Sequence, residues 1–217
     1  LLVRGTDPDG DFTKDGVELH WGAARFRTAT EVEVDGKILS AKDIVVATGT
    51  APGLPPIPGL AEAKPQTNRT IFALPSFPAR LGVIGGGPIG LELGQAFSRL
   101  GAEVTLFETI DRIAGTEDAE VSMELTKLFE REGIRIETGV KIERVDRAED
   151  GTVSMVTEKG RFVVDELLVA AGREAQIPEG LTNIGVKRDK RGFIAISECG
   201  MTNVDGIWAA GDVTGKF

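Results

Sequence analysis

The stretch Leu81-Gly-Val-Ile-Gly85-Gly86-Gly87-Pro88-Ile89-Gly90 restricts the fold more than any other part of the chain. A short apolar run enters a glycine turn, an amphipathic segment leaves it, and a second apolar run, Val104-Thr-Leu-Phe-Glu108, ends on an acid. The sequence therefore predicts strand, tight turn, helix and second strand. Gly85 permits the turn, Gly87 lets a pyrophosphate reach the backbone without meeting a side chain, and Gly90 lets the helix lie close to the sheet. An anion would rest on unpaired N–H groups at the positive end of that helix. Pro88 suits the first turn, where its missing N–H has no use. Glu108 stands 18 positions after Gly90, near the roughly 20-residue spacing of the acid that hydrogen-bonds an adenosine ribose. A lone GxGxxG is weak evidence, but between two strands and followed by this acid it predicts a dinucleotide site. A carboxylate suits the free ribose hydroxyls of NAD and repels a 2′-phosphate, so NAD is expected and NADP, with Arg112 nearby, is the lesser rival.

Within the helix, Ile89, Leu93, Ala96, Phe97 and Leu100 are expected to form the stripe facing the sheet, and Gly101 to end it. A second helix is predicted over Glu117 to Glu132, with Val121, Leu125, Leu128 and Phe129 on one face and a third strand, Ile134 to Glu137, after Gly133. Val140 to Asp146, Thr152 to Val156 and Arg161 to Val164 form an expected antiparallel meander, closed by the apolar strand Glu166-Leu-Leu-Val-Ala-Ala-Gly172.

The first fifty residues suggest short strands: Val17 to Trp21, Ala24 to Phe26, Glu31 to Val34, Lys37 to Leu39 and Asp43 to Ala47. Asp35-Gly36 is a two-residue hairpin signal. Hairpin, apolar strand and Ala-x-Gly thus occur twice, ending at Gly49 and at Gly172. Only the second copy follows a nucleotide-binding front half, so the chain is expected to begin inside a domain. Residues 51 to 59, Ala-Pro-Gly-Leu-Pro-Pro-Ile-Pro-Gly, suggest a stiff crossover. Gly192 to Ser197 and Ile207-Trp-Ala-Ala-Gly211-Asp212 are further expected strands. The expected organisation is a first flank over 1–60, a nucleotide-binding domain over 61–180 and a second flank over 181–217.

With 34 acidic against 25 basic residues the net charge is −9, which argues against a nucleic-acid partner. No apolar run of about 18 residues is present, so no membrane partner and a cytoplasmic location are expected. A single cysteine, Cys199, excludes an internal disulfide and any redox pair within these 217 residues. No metal site is suggested.

Four motifs carry a resemblance over nearly the whole chain: Ala47-Thr48-Gly49, the Gly85-to-Glu108 unit, Ala171-Gly172-Arg173 and Ala210-Gly211-Asp212. In their order and spacing the chain resembles the flavin-dependent pyridine nucleotide-disulfide oxidoreductases, the family of dihydrolipoamide dehydrogenase, glutathione reductase and mercuric reductase. The resemblance implies an α/β fold, a Rossmann-like three-layer dinucleotide-binding domain with an antiparallel β-meander, flanked by pieces of an FAD-binding domain. It implies NAD pyrophosphate on Gly85, Gly87, Pro88, Ile89 and Gly90, the adenosine ribose on Glu108, and nicotinamide near Glu92 and Gly172. It also implies FAD beside Thr48, Gly49 and Asp212. The parent enzyme would be a homodimer passing hydride from NADH to FAD and then to a disulfide. The family's FAD glycine turn, cysteine pair and C-terminal His-Glu pair are absent, His20 does not match that base, and Pro88 replaces a common aromatic. No catalytic residue is therefore expected here, and the fragment alone would be inactive. An NADH oxidase, a ferredoxin reductase or a non-catalytic NAD-binding module would share several of these motifs.

Overall fold

The computed structural model describes residues 16–216. They fall into two compact units: Pro52–Arg173, and the described parts of the flanks Leu1–Ala51 and Glu174–Phe217.

The first flank opens with an antiparallel ribbon of β1 (Ala24–Thr28), β2 (Glu31–Val34) and β3 (Lys37–Ser40). Asp35 and Gly36 turn between β2 and β3 with φ of 47° and 84°, the paired positive angles of a tight hairpin that follows the strand twist. Val17–Trp21 forms no strand. Val17 and Trp21 are exposed, Trp21 by 73%, and Leu19 and His20 are only half-buried, so among the described residues the alternation serves no fully buried face. β4 (Ile44–Val46) follows, and β5 (Thr50–Pro52) leads out of the flank.

In the Pro52–Arg173 unit the proline-rich connector runs beside the meander, with Val145 N–H donating to Pro58 O at 2.9 Å. The elements that follow are β6 (Arg80–Ile84), α1 (Pro88–Arg99), β7 (Glu103–Phe107), α2 (Ala119–Arg131), β8 (Arg135–Glu137), β9 (Ile142–Arg147), β10 (Val153–Thr157), β11 (Gly160–Val164) and β12 (Glu166–Val169). The parallel sheet has the order β12-β6-β7-β8, and the meander the order β11-β10-β9. Period-two alternation divides the side chains. Leu81, Val83, Val104, Leu106 and Leu168 pack with residues of both helices, whereas Ile84, Phe107, Leu167 and Val169 pack with Val145, Met155 and Val164 of the meander. The result is three layers, helices over sheet over meander.

The buried face of α1 differs from the expected stripe. Gly90, Leu91, Gly94 and Phe97 are buried, Leu93 packs in part, and Leu100 is 72% exposed. The helix approaches on its small residues: a Cβ on Gly94 would lie 3.6 Å from Val104 Cγ1 and 3.7 Å from Val83 Cγ2. An apolar tally misplaces that face, since glycine carries no hydrophobic signal. On α2, Val121 is 46% exposed and Ser122 takes the inward place, its hydroxyl donating to Ile113 O at 2.6 Å. Leu125, Leu128 and Phe129 do pack inward.

Asp165 fixes the register of β12 against β6. Its carboxylate accepts Arg80 N–H at 2.7 Å and Arg80 Nε at 3.2 Å, while Asp165 N–H donates to Arg80 O at 2.9 Å. The Arg80 side chain, opposed by partial desolvation and aided by the backbone N–H groups, holds this carboxyl below the usual aspartate range. A depressed folded pKa contributes stability that is complete above the unfolded value and is lost as pH falls through the folded one. Asp165→Asn should therefore lower the urea midpoint near pH 7 by the equivalent of about 0.5–1 kcal/mol, both side chains being partly exposed. Its midpoint should then fall less than the parent's between about pH 5 and pH 2. Equal midpoints for the two proteins throughout would show the pair contributes nothing.

After β13 (Arg173–Ala175) the second flank is largely turns, then β14 (Ile207–Ala209). Gly192–Ser197 forms a single bridge, Ile194 to Arg188, rather than a strand. The Asp189 carboxylate accepts the N–H groups of Arg191 and Phe193 at 2.9 and 3.0 Å, curling the backbone into a turn. β14 pairs in parallel with β4, with Ile207 opposite Ile44 and Ala209 opposite Val46. Phe26, Val46, Leu181, Ile194, Ile207 and Val213 form the core of this unit.

Candidate functional site

In the order β12-β6-β7-β8 the chain runs from β6 outward through β7 to β8, then returns to place β12 on the other side of β6. The carboxyl ends of β6 and β12 therefore flank the point where strand order reverses, the usual ligand crevice of an open parallel sheet. Gly85 follows β6 there with φ 110°, and a Cβ on it would lie 2.5 Å from Ala170 O just past β12. Only glycine fits. Gly172 lies two residues further on from Ala170 and bonds through its carbonyl to Gly53 N–H at 3.1 Å.

The turn is held from the other side by Glu108, at the end of β7. Its Oε2 accepts Gly86 N–H at 2.7 Å. Gly86 O accepts Ala114 N–H at 2.8 Å, so both polar groups of that glycine are committed to β7 and its following loop. Ala114 has φ 48°, a left-handed conformation uncommon for a residue with a Cβ. Ile113 beside it is fully buried.

Gly87 is different. It is the N-cap of α1, with φ −82° and ψ −179°, and a Cβ built on it meets nothing within 4 Å. Open space thus stands over the positive end of a 12-residue helix whose first-turn N–H groups have no intrahelical acceptor. No acidic residue lies in that first turn. Pro88 and Ile89 continue it, Pro88 exposed and Ile89 half-buried. Gly90 closes the approach, since its Cβ would lie 2.0 Å from Gly85 O. Glu92 is exposed on α1. The Arg112 guanidinium donates to the carbonyls of Gly115 and Glu117 at 3.0 and 3.3 Å, within its own loop.

Gly85, Gly86, Gly87, Gly90 and Glu108 thus converge on one cradle suited to a phosphate and a neighbouring diol. Thr48, Gly49 and Asp212 form a second group in the flanking unit, at the carboxyl ends of β4 and β14. Thr48 donates through its hydroxyl to Gln176 O, and Gln176 returns its side-chain amide to Thr48 O at 3.1 Å and Thr50 O at 3.2 Å. Thr50 donates to Asp212 Oδ2 at 3.2 Å. Reading residue types overlooked Gly86, Thr109, Ile110, Ala114 and Ala170, which act here mainly through backbone atoms. Among the described residues no group of three His, Cys, Asp or Glu side chains could hold a metal, and no helix is long and apolar enough to cross a membrane.

Comparison with known proteins accords with this geometry. The family described as pyridine nucleotide-disulphide oxidoreductase matches residues 8–217. Mercuric reductase of Lysinibacillus sphaericus is 41% identical over 201 residues, covering 91% of this chain and 37% of the relative. Dihydrolipoyl dehydrogenase of Acholeplasma laidlawii is 34% identical over 208 residues, covering 94% and 61%. The solved HOCl-induced flavoprotein disulfide reductase RclA from Escherichia coli superposes with a TM-score of 0.84 at 30% identity, over 90% of this chain and 46% of that one. The chain therefore spans less than two-thirds of each.

Proposed function

The chain belongs to the pyridine nucleotide-disulphide oxidoreductase family, and on that premise we propose that it is the NAD(H)-binding portion of an FAD-dependent disulfide oxidoreductase. The observation that carries the reading is the open space over Gly87 at the start of α1, with the Glu108 carboxylate fixed beside the same turn.

In this reading the pyrophosphate takes the N–H groups of Gly87, Ile89 and Gly90, because Gly86 N–H is already given to Glu108. Glu108 accepts from the adenosine ribose. A 2′-phosphate at that place would face a carboxylate, and the nearest candidate cation, Arg112, is bonded within its own loop, so NADH is preferred over NADPH. Gly172 and Glu92 border the nicotinamide end. Thr48, Gly49 and Asp212 lie along the flavin nucleotide, Asp212 accepting a ribityl hydroxyl. When bound, NADH supplies a hydride to the flavin, which carries the electrons to a disulfide elsewhere in the whole protein. The chain's own residues bind, orient and select. The homodimer of the whole protein belongs to the same proposal.

Calorimetric titration of the 217-residue chain with NADH and with NADPH tests this. NADH should bind saturably and more tightly. Glu108→Ala should weaken NADH about tenfold or more, since it removes a charge-assisted acceptor and also frees Gly86. Equal affinity for the two nucleotides in the parent chain would defeat the assignment of Glu108 as the selecting group.

A further inference from the structure

We infer that Thr109, which directly follows the acid at the end of β7, is a positioning residue that sets the NADH preference by fixing the Glu108 carboxylate. The inference rests on the NAD(H) reading above.

The two oxygens of Glu108 are in unequal surroundings. Oε1 accepts Thr109 N–H at 2.7 Å, the Thr109 hydroxyl at 3.1 Å and Ile110 N–H at 3.2 Å. Oε2 accepts Gly86 N–H at 2.7 Å. Each carboxylate oxygen offers about two lone pairs. Oε1 is therefore fully engaged by its own strand end, and Oε2 keeps one place for a ribose hydroxyl. A glutamate with free torsions would have to be ordered by the ligand, which lowers affinity. Here the ordering is done in advance, with one oxygen turned to the turn and the ribose.

Two of the three donors to Oε1 are backbone N–H groups and survive most substitutions. The hydroxyl is the removable one. Its loss leaves the charge at position 108 and the backbone donors of Thr109, Ile110 and Gly86 in place, but removes the one side-chain restraint on Oε1, so the carboxylate is held less tightly in the orientation that turns Oε2 to the ribose. The consequence is specific: NADH, which needs the acceptor at Oε2, is affected, whereas NADPH, which meets only the repulsion, gains or is unchanged.

The test compares parent, Thr109→Val and Thr109→Ser for NADH and NADPH affinity, with the urea midpoint of each. Thr109→Val keeps the shape without the hydroxyl and should weaken NADH by roughly three- to tenfold, the size of one ordinary net hydrogen bond, because the backbone donors to Oε1 remain. The NADH-to-NADPH ratio should narrow, and Thr109→Ser should restore it. An unchanged ratio in Thr109→Val overturns the inference, as does an equal loss of both nucleotides, which would indicate a general structural role. Failure of the parent to bind NADH would instead overturn the reading on which it rests.

Discussion

Gly87→Ala is expected to fold as the parent chain does and to bind NADH about a hundredfold more weakly. The added Cβ meets no atom within 4 Å, and φ −82° with ψ −179° is extended backbone that alanine adopts without strain. At an N-cap, alanine costs no more than about 1 kcal/mol relative to glycine. The urea midpoint should therefore fall by no more than the equivalent of about 1 kcal/mol. The methyl instead fills the space through which a pyrophosphate would reach the N–H groups of the first turn. Holding the phosphate off removes more than one charge-assisted hydrogen bond, each worth about 1.5–3 kcal/mol, and about 2.7 kcal/mol corresponds to a hundredfold. Urea unfolding and calorimetry on the same sample check both halves. Unaltered NADH affinity would place the phosphates somewhere other than this helix end.

Gly90→Ala should do the opposite, destabilising the chain before any ligand is considered. Its Cβ would stand 2.0 Å from Gly85 O and 3.3 Å from Val83 Cγ1. A carbonyl in a tight turn cannot yield as a flexible side chain can, and Gly85 is itself confined by Ala170 O. The helix must lift from the sheet, opening the contacts of Leu91, Gly94 and Phe97. A cost of about 3 kcal/mol or more follows, at the upper end of overpacking effects and a large share of the 5–15 kcal/mol typical of a whole domain. A urea midpoint within error of the parent's would show that the turn is softer than its geometry implies.

The two variants show what the sequence makes plain and what it hides. The strand, turn, helix and strand from Leu81 to Glu108 were legible because each residue type acts locally and at fixed spacing, as were the Asp35-Gly36 hairpin and the meander. The pairing of β4 with β14, more than 160 residues apart in sequence, carries no local signal in either segment. The inward face of α1 was not legible, because Gly90 and Gly94 pack by absence of a side chain. Ser122 replaced Val121 on α2 because a hydroxyl bonded to Ile113 O can be buried where polarity alone would expose it. Val17–Trp21 has strand-like composition with no core to face. Within the site, Glu108 stood out by position, but three of its four donors, from Gly86, Thr109 and Ile110, are backbone N–H groups that any residue carries, the fourth being the Thr109 hydroxyl.

Amide-detected NMR of the ¹⁵N-labelled chain, titrated with NADH, tests the central claim most directly, because it locates the nucleotide residue by residue. The N–H signals of Gly87, Ile89 and Gly90 should shift together and saturate, with smaller shifts at Gly86, Glu108, Thr109 and Gly172. Saturable shifts confined to other residues, or no shift at the start of α1, would contradict the assignment of this glycine turn as the pyrophosphate site.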